Sequence, residues 1–296
     1  MSAVQDPAAP IAIPTQPDQA AIARRERLRF LRRSPTFVIG CVLVGMWVIC
    51  AIFGNAIAPK NPEFPDVLNK LVAPSADHLF GTDRLGRDVL SRVIVGARAV
   101  LVIAPLATLL GTLLGTTIGL VTGYFRGFVD EVIMRIVDAV LAIPIIIIAL
   151  LAVVALGPSR VTLILVIGLV FTPIIAKTVR AAVLGEARLE YVQAARLRNE
   201  RAPYVLFGEI LPNVMGPVVV EFTVRLGYAI FTVATLSFLG FGADPSIPDW
   251  GQDISQHYQF ISGGVWWPVL FPALAIATLI VGINLIADAI AQSFER

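Results

Sequence analysis

Six long stretches of this chain contain no Asp, Glu, Lys or Arg: Ser34 to Pro59, Ala99 to Phe125, Ala139 to Ser159, Val161 to Ala176, Leu226 to Ala243, and the interval from Ile254 to Ala287. The hydrocarbon layer of a bilayer, about 30 Å thick, is crossed by about 20 helical residues. Inside it every backbone N–H and C=O must be satisfied within the protein, so a single apolar run that crosses does so as a helix. The runs therefore predict an all-α integral membrane protein with six transmembrane helices. The fourth run is short by itself, but Arg160 and Lys177 at its ends can extend their charged heads to the interface, which allows a helix reaching about Ala182. Pro105, Pro144, Pro173, Pro268 and Pro272 fall within or beside the runs; membrane helices tolerate them because neighbours re-satisfy the freed carbonyls. Trp266 and Trp267 are expected as an interfacial anchor where the sixth helix begins.

Composition agrees. Of 296 residues 57% are hydrophobic and 15% charged, where soluble domains carry about 25% charged. That balance excludes a disordered chain, a collagen-like rod or a single soluble core. The net charge of +2 leaves no broad basic field, so no nucleic-acid partner is expected. Cys41 and Cys50 lie inside the first apolar run and read as small hydrophobes; no metal site is expected.

Basic residues set the expected orientation. Arg24, Arg25, Arg27, Arg29, Arg32 and Arg33 precede the first run, and Lys177, Arg180, Arg188, Arg196, Arg198 and Arg201 follow the fourth. Both clusters should face the cytoplasm, which places both termini on the cytoplasmic side of the membrane. The segment from Lys60 to Arg98 falls outside by parity although it holds six basic residues; five acidic ones and its length weaken their pull. The expected division is a disordered, basic cytoplasmic tail over 1–34, a first transmembrane helix over 35–57, an extracytoplasmic segment with an amphipathic helix over 58–98, a core of five transmembrane helices over 99–289 with a cytoplasmic loop at 183–213, and a short cytoplasmic tail over 290–296. A cleavable signal peptide ending near Ala56-Ile57-Ala58 is disfavoured, because the apolar run is too long and a 33-residue stretch precedes it.

The loop from Glu186 to Asn213 is expected to hold two short helices meeting at Asn199. Leu184, Ala187, Tyr191, Ala194 or Ala195, and Arg198 recur at helical spacing, with a small-residue patch at Ala194 and Ala195 that another protein could approach closely. Asn favours the left-handed turn that ends a helix, and Pro203 suits the first turn of the next. In the external segment, His78 to Arg98 reads HLFGTDRLGRDVLSRVIVGAR. Thr82 or Asp83 can cap a helix there, Leu85, Val89, Leu90, Val93, Ile94 and Ala97 form an apolar stripe, and Arg84, Asp88 and Arg92 alternate in sign on the other side. Such a helix is expected to lie along the outer membrane surface.

Further signals are structural. Gly111, Gly115, Gly119 and Gly123 repeat every four residues, which lets a helix of this subunit or of a partner pack closely. Glu221 and Arg225 sit at i, i+4 before the fifth run, either at the inner interface or lining a polar path. Asp130, Glu131, Arg135 and Asp138 suggest an inner-surface helix with internal ion pairs, with Asp138 a candidate for a water-filled path.

Two strings resemble a known family. Gln193-Ala194-Ala195, Asn199 and Glu209-Ile210-Leu211-Pro212 are spaced like the EAA loop of ABC-importer permeases (EAA, three residues, Gly, nine residues, I-x-L-P), with Gln193, Asn199 and Glu209 in the Glu, Gly and Ile slots. The His78 to Arg98 string resembles the GTDxxGRDxxSRxxxGAR signature of the C-type permease subunit in dipeptide, oligopeptide and nickel ABC importers, through Gly81, Asp83, Gly86, Arg87, Asp88, Arg92 and Arg98. FRGFVDEVIMRIVDAVLAIP from Phe125, LSFLGFG from Leu236 and PDWG from Pro248 extend the likeness. The resemblance implies a type I ABC-importer permease fold and a homologous partner permease subunit. It also implies an extracytoplasmic substrate-binding protein and two cytoplasmic ATPase subunits, or one two-site ATPase chain, that bind ATP and Mg. The implied cargo is di- or oligopeptides, with nickel or another small solute as the alternative. ATPase coupling would run through Glu190, Tyr191, Ala194, Ala195, Asn199, Leu211 and Pro212.

An enzyme is not expected. His78 and His257 are the only histidines, and neither a GxSxG nor an HExxH string occurs. No Lys follows a Gly, which excludes a G-x-x-x-x-G-K-[ST] phosphate loop, so this chain is expected to bind no cofactor itself. An ATP-independent channel or secondary transporter would call for inverted repeats or ionisable residues within the spans, and neither is evident.

Overall fold

The computed structural model describes residues 29–242 and 247–294. The first 28 residues of the expected N-terminal tail, with Arg24, Arg25 and Arg27, lie outside the described residues. Among the described residues nine helices carry the fold. Helix α1 is Pro35–Ile57, α2 Val89–Phe125, α3 Gly127–Leu141, α4 Ile145–Leu156, α5 Arg160–Glu186 and α6 Glu190–Leu197. A continuous run Ala202–Phe241 forms α7, Trp250–His257 forms α8 and Trp267–Phe294 forms α9. The last residues described are thus helical where a short tail was expected.

Among the described residues five helices are long and apolar enough to cross a membrane, and the number is six if α3 and α4, bent by 85° at the break between them, together make one span. Ala139 to Ser159 is therefore not one straight span. Pro144 disfavours helical geometry at Ile143 before it and cannot donate an N–H, so α3 stops at Leu141 and α4 restarts at Ile145. Helix α5 runs past Ala182 to Glu186, and α7 begins 24 residues before the fifth apolar run.

The centre of the bundle is α2 against α5. Gly111, Gly115, Gly119 and Gly123 lie on the α5-facing side of α2, within this subunit. A Cβ on Gly111 would sit 2.8 Å from the Gly168 carbonyl, and one on Gly119 2.8 Å from that of Ala176. Cβ atoms on Gly115 and Gly123 would meet the side chains of Ile175 and Val183 at 2.7 Å. Closely approached backbones bury Leu163, Ile167, Ile175, Val179 and Val183 completely. Helix α1 lies antiparallel to α9: a Cβ on Gly40 would stand 2.7 Å from the Gly282 carbonyl, and Trp47 Nε1 donates to Thr278 Oγ1 at 3.1 Å. Cys41 is exposed and Cys50 half-buried, both as free thiols.

These pairings define two ends. At one, the hairpin end, lie Ser34, Phe125, the α5–α7 connection and Phe294; a Cβ on Gly216 would meet the Phe294 ring at 2.9 Å. At the other, the loop end, lie Ile57, the 58–88 segment, the start of α5 and α8.

The 58–88 segment holds no amphipathic helix. Gly81 and Gly86 take φ of +72° and +79°, a left-handed geometry that interrupts a helix and suits glycine. Helix α2 begins only at Val89, capped by Asp88, and continues into the bundle as a 37-residue helix.

Candidate functional site

At the loop end Asp88 and Arg92, expected to face water, turn inward with Asp83 and Arg87, while Arg84 stays exposed. Asp83 closes a tight turn: Oδ1 accepts from the N–H of Leu85 (2.7 Å) and of Arg87 (2.9 Å), and Oδ2 accepts from Arg87 Nε at 2.6 Å. A Cβ on Gly86 would collide with the Asp66 carbonyl, and one on Gly81 with the Val72 carbonyl and the Trp267 indole. Asp88 caps α2 through the N–H of Ser91 (2.9 Å) and Ser91 Oγ (2.7 Å), and its other oxygen lies 2.9 Å from His78 Nδ1. Lys60 Nζ approaches His78 Nε2 at 3.0 Å.

This loop is tied to α8 and α9. The guanidinium of Arg92 binds Asp253 Oδ1 through two nitrogens and the Pro62 carbonyl through a third. Trp250 Nε1 donates to the Val93 carbonyl at 2.8 Å, and Trp267 Nε1 to that of Thr82 at 2.9 Å. Trp267 is thus a buried peg rather than an interfacial anchor; Trp266 beside it is 45% exposed. His257 Nδ1 lies 2.6 Å from the Asp253 carbonyl, an acceptor only, so that nitrogen carries the proton and Nε2 accepts from the Arg84 N–H at 3.3 Å. Burial pushes the His257 imidazole below its ordinary range and the Asp249 carboxyl above it. Asp253 and His257 were not predicted: Arg92 and Arg84, to which they tie the loop, lie more than 150 residues away in sequence, and a local pattern holds no sign of that. Arg98 alone of the signature residues remains exposed.

At the hairpin end, α6 stops as expected at Asn199, which adopts φ +55°. The N–H of Glu200 bonds to the Ala195 carbonyl (3.2 Å) and that of Asn199 to Arg196 (3.0 Å), the paired bonds of a Schellman ending. The second helix is not short, because it runs on as α7 with widened turns over Val205–Ile210. Tyr191 fixes the hairpin: its hydroxyl donates to Glu186 Oε2 at 2.7 Å and accepts from Asn213 Nδ2 at 3.2 Å. Burial, then the Glu186 carboxylate, push the phenol up to about 12. The Arg196 guanidinium stacks over the Tyr124 ring at 4.4 Å.

Ala195 is completely buried within the subunit and Ala194 partly so, which corrects the reading of these two as an open docking patch. Their small size lets α6 lie close to α7. Glu190 and Pro212 are exposed, and Leu211 is half-buried inside α7. The exposed apolar surface is instead Leu197 (85%), with Leu189, Tyr204 and Phe207. The isolated Leu197 among arginines was the available sequence signal.

Asp130 and Asp138 do not pair along α3. They reach α5, where Arg180 holds Asp130 through two bonds of 2.5 and 2.6 Å and Lys177 lies 2.7 Å from Asp138. Only Glu131 and Arg135 form an internal pair, at 3.8 Å and exposed. Glu221 and Arg225 pair at 2.5 Å midway along α7, with side chains 11% and 15% exposed. Among the described residues no group of three potential metal ligands comes together.

Residues 115–296 match the family model described as binding-protein-dependent transport system inner membrane component, and residues 24–74 match the N-terminal TM domain of oligopeptide transport permease C. The chain is 41% identical over 280 residues to the dipeptide transport system permease protein DppC of Escherichia coli K12, covering 92% of each. It is 33% identical to the protein of that name from Alkalihalophilus pseudofirmus, over 92% of this chain and 89% of the relative. The di/tripeptide transport system permease protein DppC of Pseudomonas aeruginosa UCBPP-PA14 is 35% identical over 86% of each. A chain of the inward-facing MetNI methionine ABC transporter superposes with a TM-score of 0.57 at 19% identity, covering 69% of this chain and 97% of that one. This last likeness concerns the fold.

Proposed function

Because the chain belongs to the family of binding-protein-dependent transport system inner membrane components, we propose that it is the permease subunit of an ATP-driven importer whose cargo is short peptides, and that its α6 hairpin receives the ATPase stroke. It is a multi-pass inner-membrane protein and not itself an enzyme; ATP is hydrolysed on separate subunits. The peptide cargo rests on the names of the relatives, dipeptide and di/tripeptide permeases. In this reading both termini and the hairpin end face the cytoplasm, and the loop end faces the external binding protein. A homologous second permease subunit completes the path. Two ATPase subunits, or one two-site chain, hold ATP and Mg and close against the hairpin.

The observation that carries the coupling role is the combination of a rigid base with an apolar tip. Tyr191 bridges Glu186 at the end of α5 to Asn213 in α7, and Arg196 holds the end of α2, so a push on α6 reaches three core helices. Leu197, 85% exposed beyond Ala195, offers the surface to be pushed. Glu190 lies at the entry to α6 and Asn199 at its exit, while Leu211 and Pro212 carry the motion into α7. Rigid-body helix motion of this kind converts differential docking in two ATPase states into alternating access.

The test is Leu197→Asp in the complete complex in proteoliposomes, following uptake of a labelled dipeptide and ATPase activity together. Uptake is expected to fall by an order of magnitude or more with the chain still folded, as for loss of a central apolar anchor. Uptake at the wild-type rate would remove the hairpin from the coupling path.

A further inference from the structure

Between α1 and α2, with α7 and α9 as its floor, an apolar cleft of about 540 Å³ opens laterally, a size within the range of about 300–1,000 Å³ typical of ligand pockets. Val48, Ile52, Val102 and Ile286 are among its walls, and Arg98 is the one charged residue on it. Arg98 also lines a second cavity of about 390 Å³ immediately towards the loop end, together with Asn55, Glu63 and Arg160. Among the described residues Arg98, Glu63 and Arg160 take part in no ion pair and their side chains in no hydrogen bond. A Cβ on Gly54 of α1 would lie 3.3 Å from Val95 of α2, and because the two helices run antiparallel this sets Arg98 opposite Ala51, about 9 Å inside the loop-end terminus of α1 at Ile57. The two cavities therefore grade from mainly apolar, within the span, to charged towards the loop end, with Arg98 shared between them.

We propose that this composite cleft is a binding site for an aminophospholipid from the leaflet at the loop end. One acyl chain lies in the apolar cleft, the phosphate diester is held by Arg98 and Arg160, and the primary ammonium of the headgroup by Glu63. Arginine at hydrocarbon depth needs an anion, and a guanidinium fork matches phosphate oxygens. The apolar walls, open to the side, suit a chain that arrives from the bilayer. A water-soluble zwitterion would leave them wetted and gain only at the upper cavity. The site thus couples the α1–α2 packing to the surrounding lipid, a role that does not depend on the peptide cargo.

The test is native mass spectrometry of the assembled transporter, stripped of lipid and then exposed to vesicles of phosphatidylethanolamine, phosphatidylglycerol or phosphatidylcholine. One retained phosphatidylethanolamine adduct is expected. It should weaken about tenfold in Arg98→Gln, the loss of one charge-assisted bond, weaken likewise in Glu63→Gln, and persist in Lys70→Gln. Val48→Trp, which fills the cleft, keeps the test open should Arg98→Gln misassemble, and it too should remove the adduct. Equal adducts in wild type and Arg98→Gln would overturn the site, and equal retention of the other two lipids would overturn the headgroup assignment. A disulfide from Val102→Cys to a neighbouring subunit would overturn it in favour of a protein occupant. An unchanged adduct with an altered KM for peptide uptake in Arg98→Gln would overturn it in favour of cargo.

Discussion

The guanidinium of Arg92 and the carboxylate of Asp253, 161 residues apart in the chain, meet in a buried ion pair with side chains 3% and 5% exposed. This pair joins the first turn of α2 to α8 and so fastens the 58–88 loop to the far half of the subunit. Breaking a buried pair leaves one charge unpaired, whereas replacing both partners can be nearly neutral. Asp253→Ala is expected to destabilise the chain by about 3–5 kcal/mol, and the double variant Arg92→Met with Asp253→Leu to recover most of the loss. Thermal unfolding of the two purified variants checks this, and a double variant no more stable than the single would refute it.

The glycine face of α2 predicts a position-specific tolerance. Gly119→Ala drives a methyl against the Ala176 carbonyl at 2.8 Å, and backbone on both sides cannot yield. A cost of about 1–3 kcal/mol is expected from overpacking. Gly45→Ala on α1 meets nothing within 4 Å, and its change is expected to be neutral or slightly stabilising through helix propensity. Equal melting temperatures for the two alanine variants would contradict the close α2–α5 packing.

Asn199 predicts an ordering of three residues. With φ at +55°, glycine removes the strain of a side chain in the left-handed region, and a β-branched residue increases it. Asn199→Gly is expected to match or exceed wild-type stability, while Asn199→Val should lose about 1–2 kcal/mol. Hydrogen exchange of α6 amides in the three proteins would reveal the ordering, and a Val variant with wild-type protection would defeat it.

His257 gives the loop end a pH dependence. Burial lowers its pKa in the folded chain, so as pH falls below the unfolded value of about 6.5 the unfolded state takes up the proton first and stability is lost. The neutral tautomer accepts from the Arg84 N–H, and protonation removes that acceptor. Asp253 and Asp83 face the ring and soften the effect; Arg84 adds to it. Melting temperatures at pH 7.5 and pH 5.5 should differ more for wild type than for His257→Gln. An identical difference in both would assign the pH response to other groups.

The six crossings and the Asn199 turn were legible in the sequence because both depend on local chemistry. Charge-free length decides whether a segment enters lipid, and the tolerance of Asn for positive φ decides where α6 ends. The break at Pro144 was in principle local as well, since proline restricts the residue before it, yet an apolar run read by length alone passes over it. The amphipathic stripe from Leu85 to Ala97 misled: the alternation of Arg84, Asp88 and Arg92 looks the same whether charges face water or face one another.

The order of apolar and charged residues along the chain thus determined the solvent, the number of crossings and the family likeness. Only the tertiary structure decided which way the charges point. Arg92 is buried because α8 brings Asp253 to it, while Asp83 is buried against Arg87 and Asp88 against His78 and Ser91, and burying a charge becomes tolerable only once its partner is in place. In the same way Ala195, small enough to serve as a docking patch, is buried against the rest of the subunit, and Leu197 is the exposed apolar residue of α6.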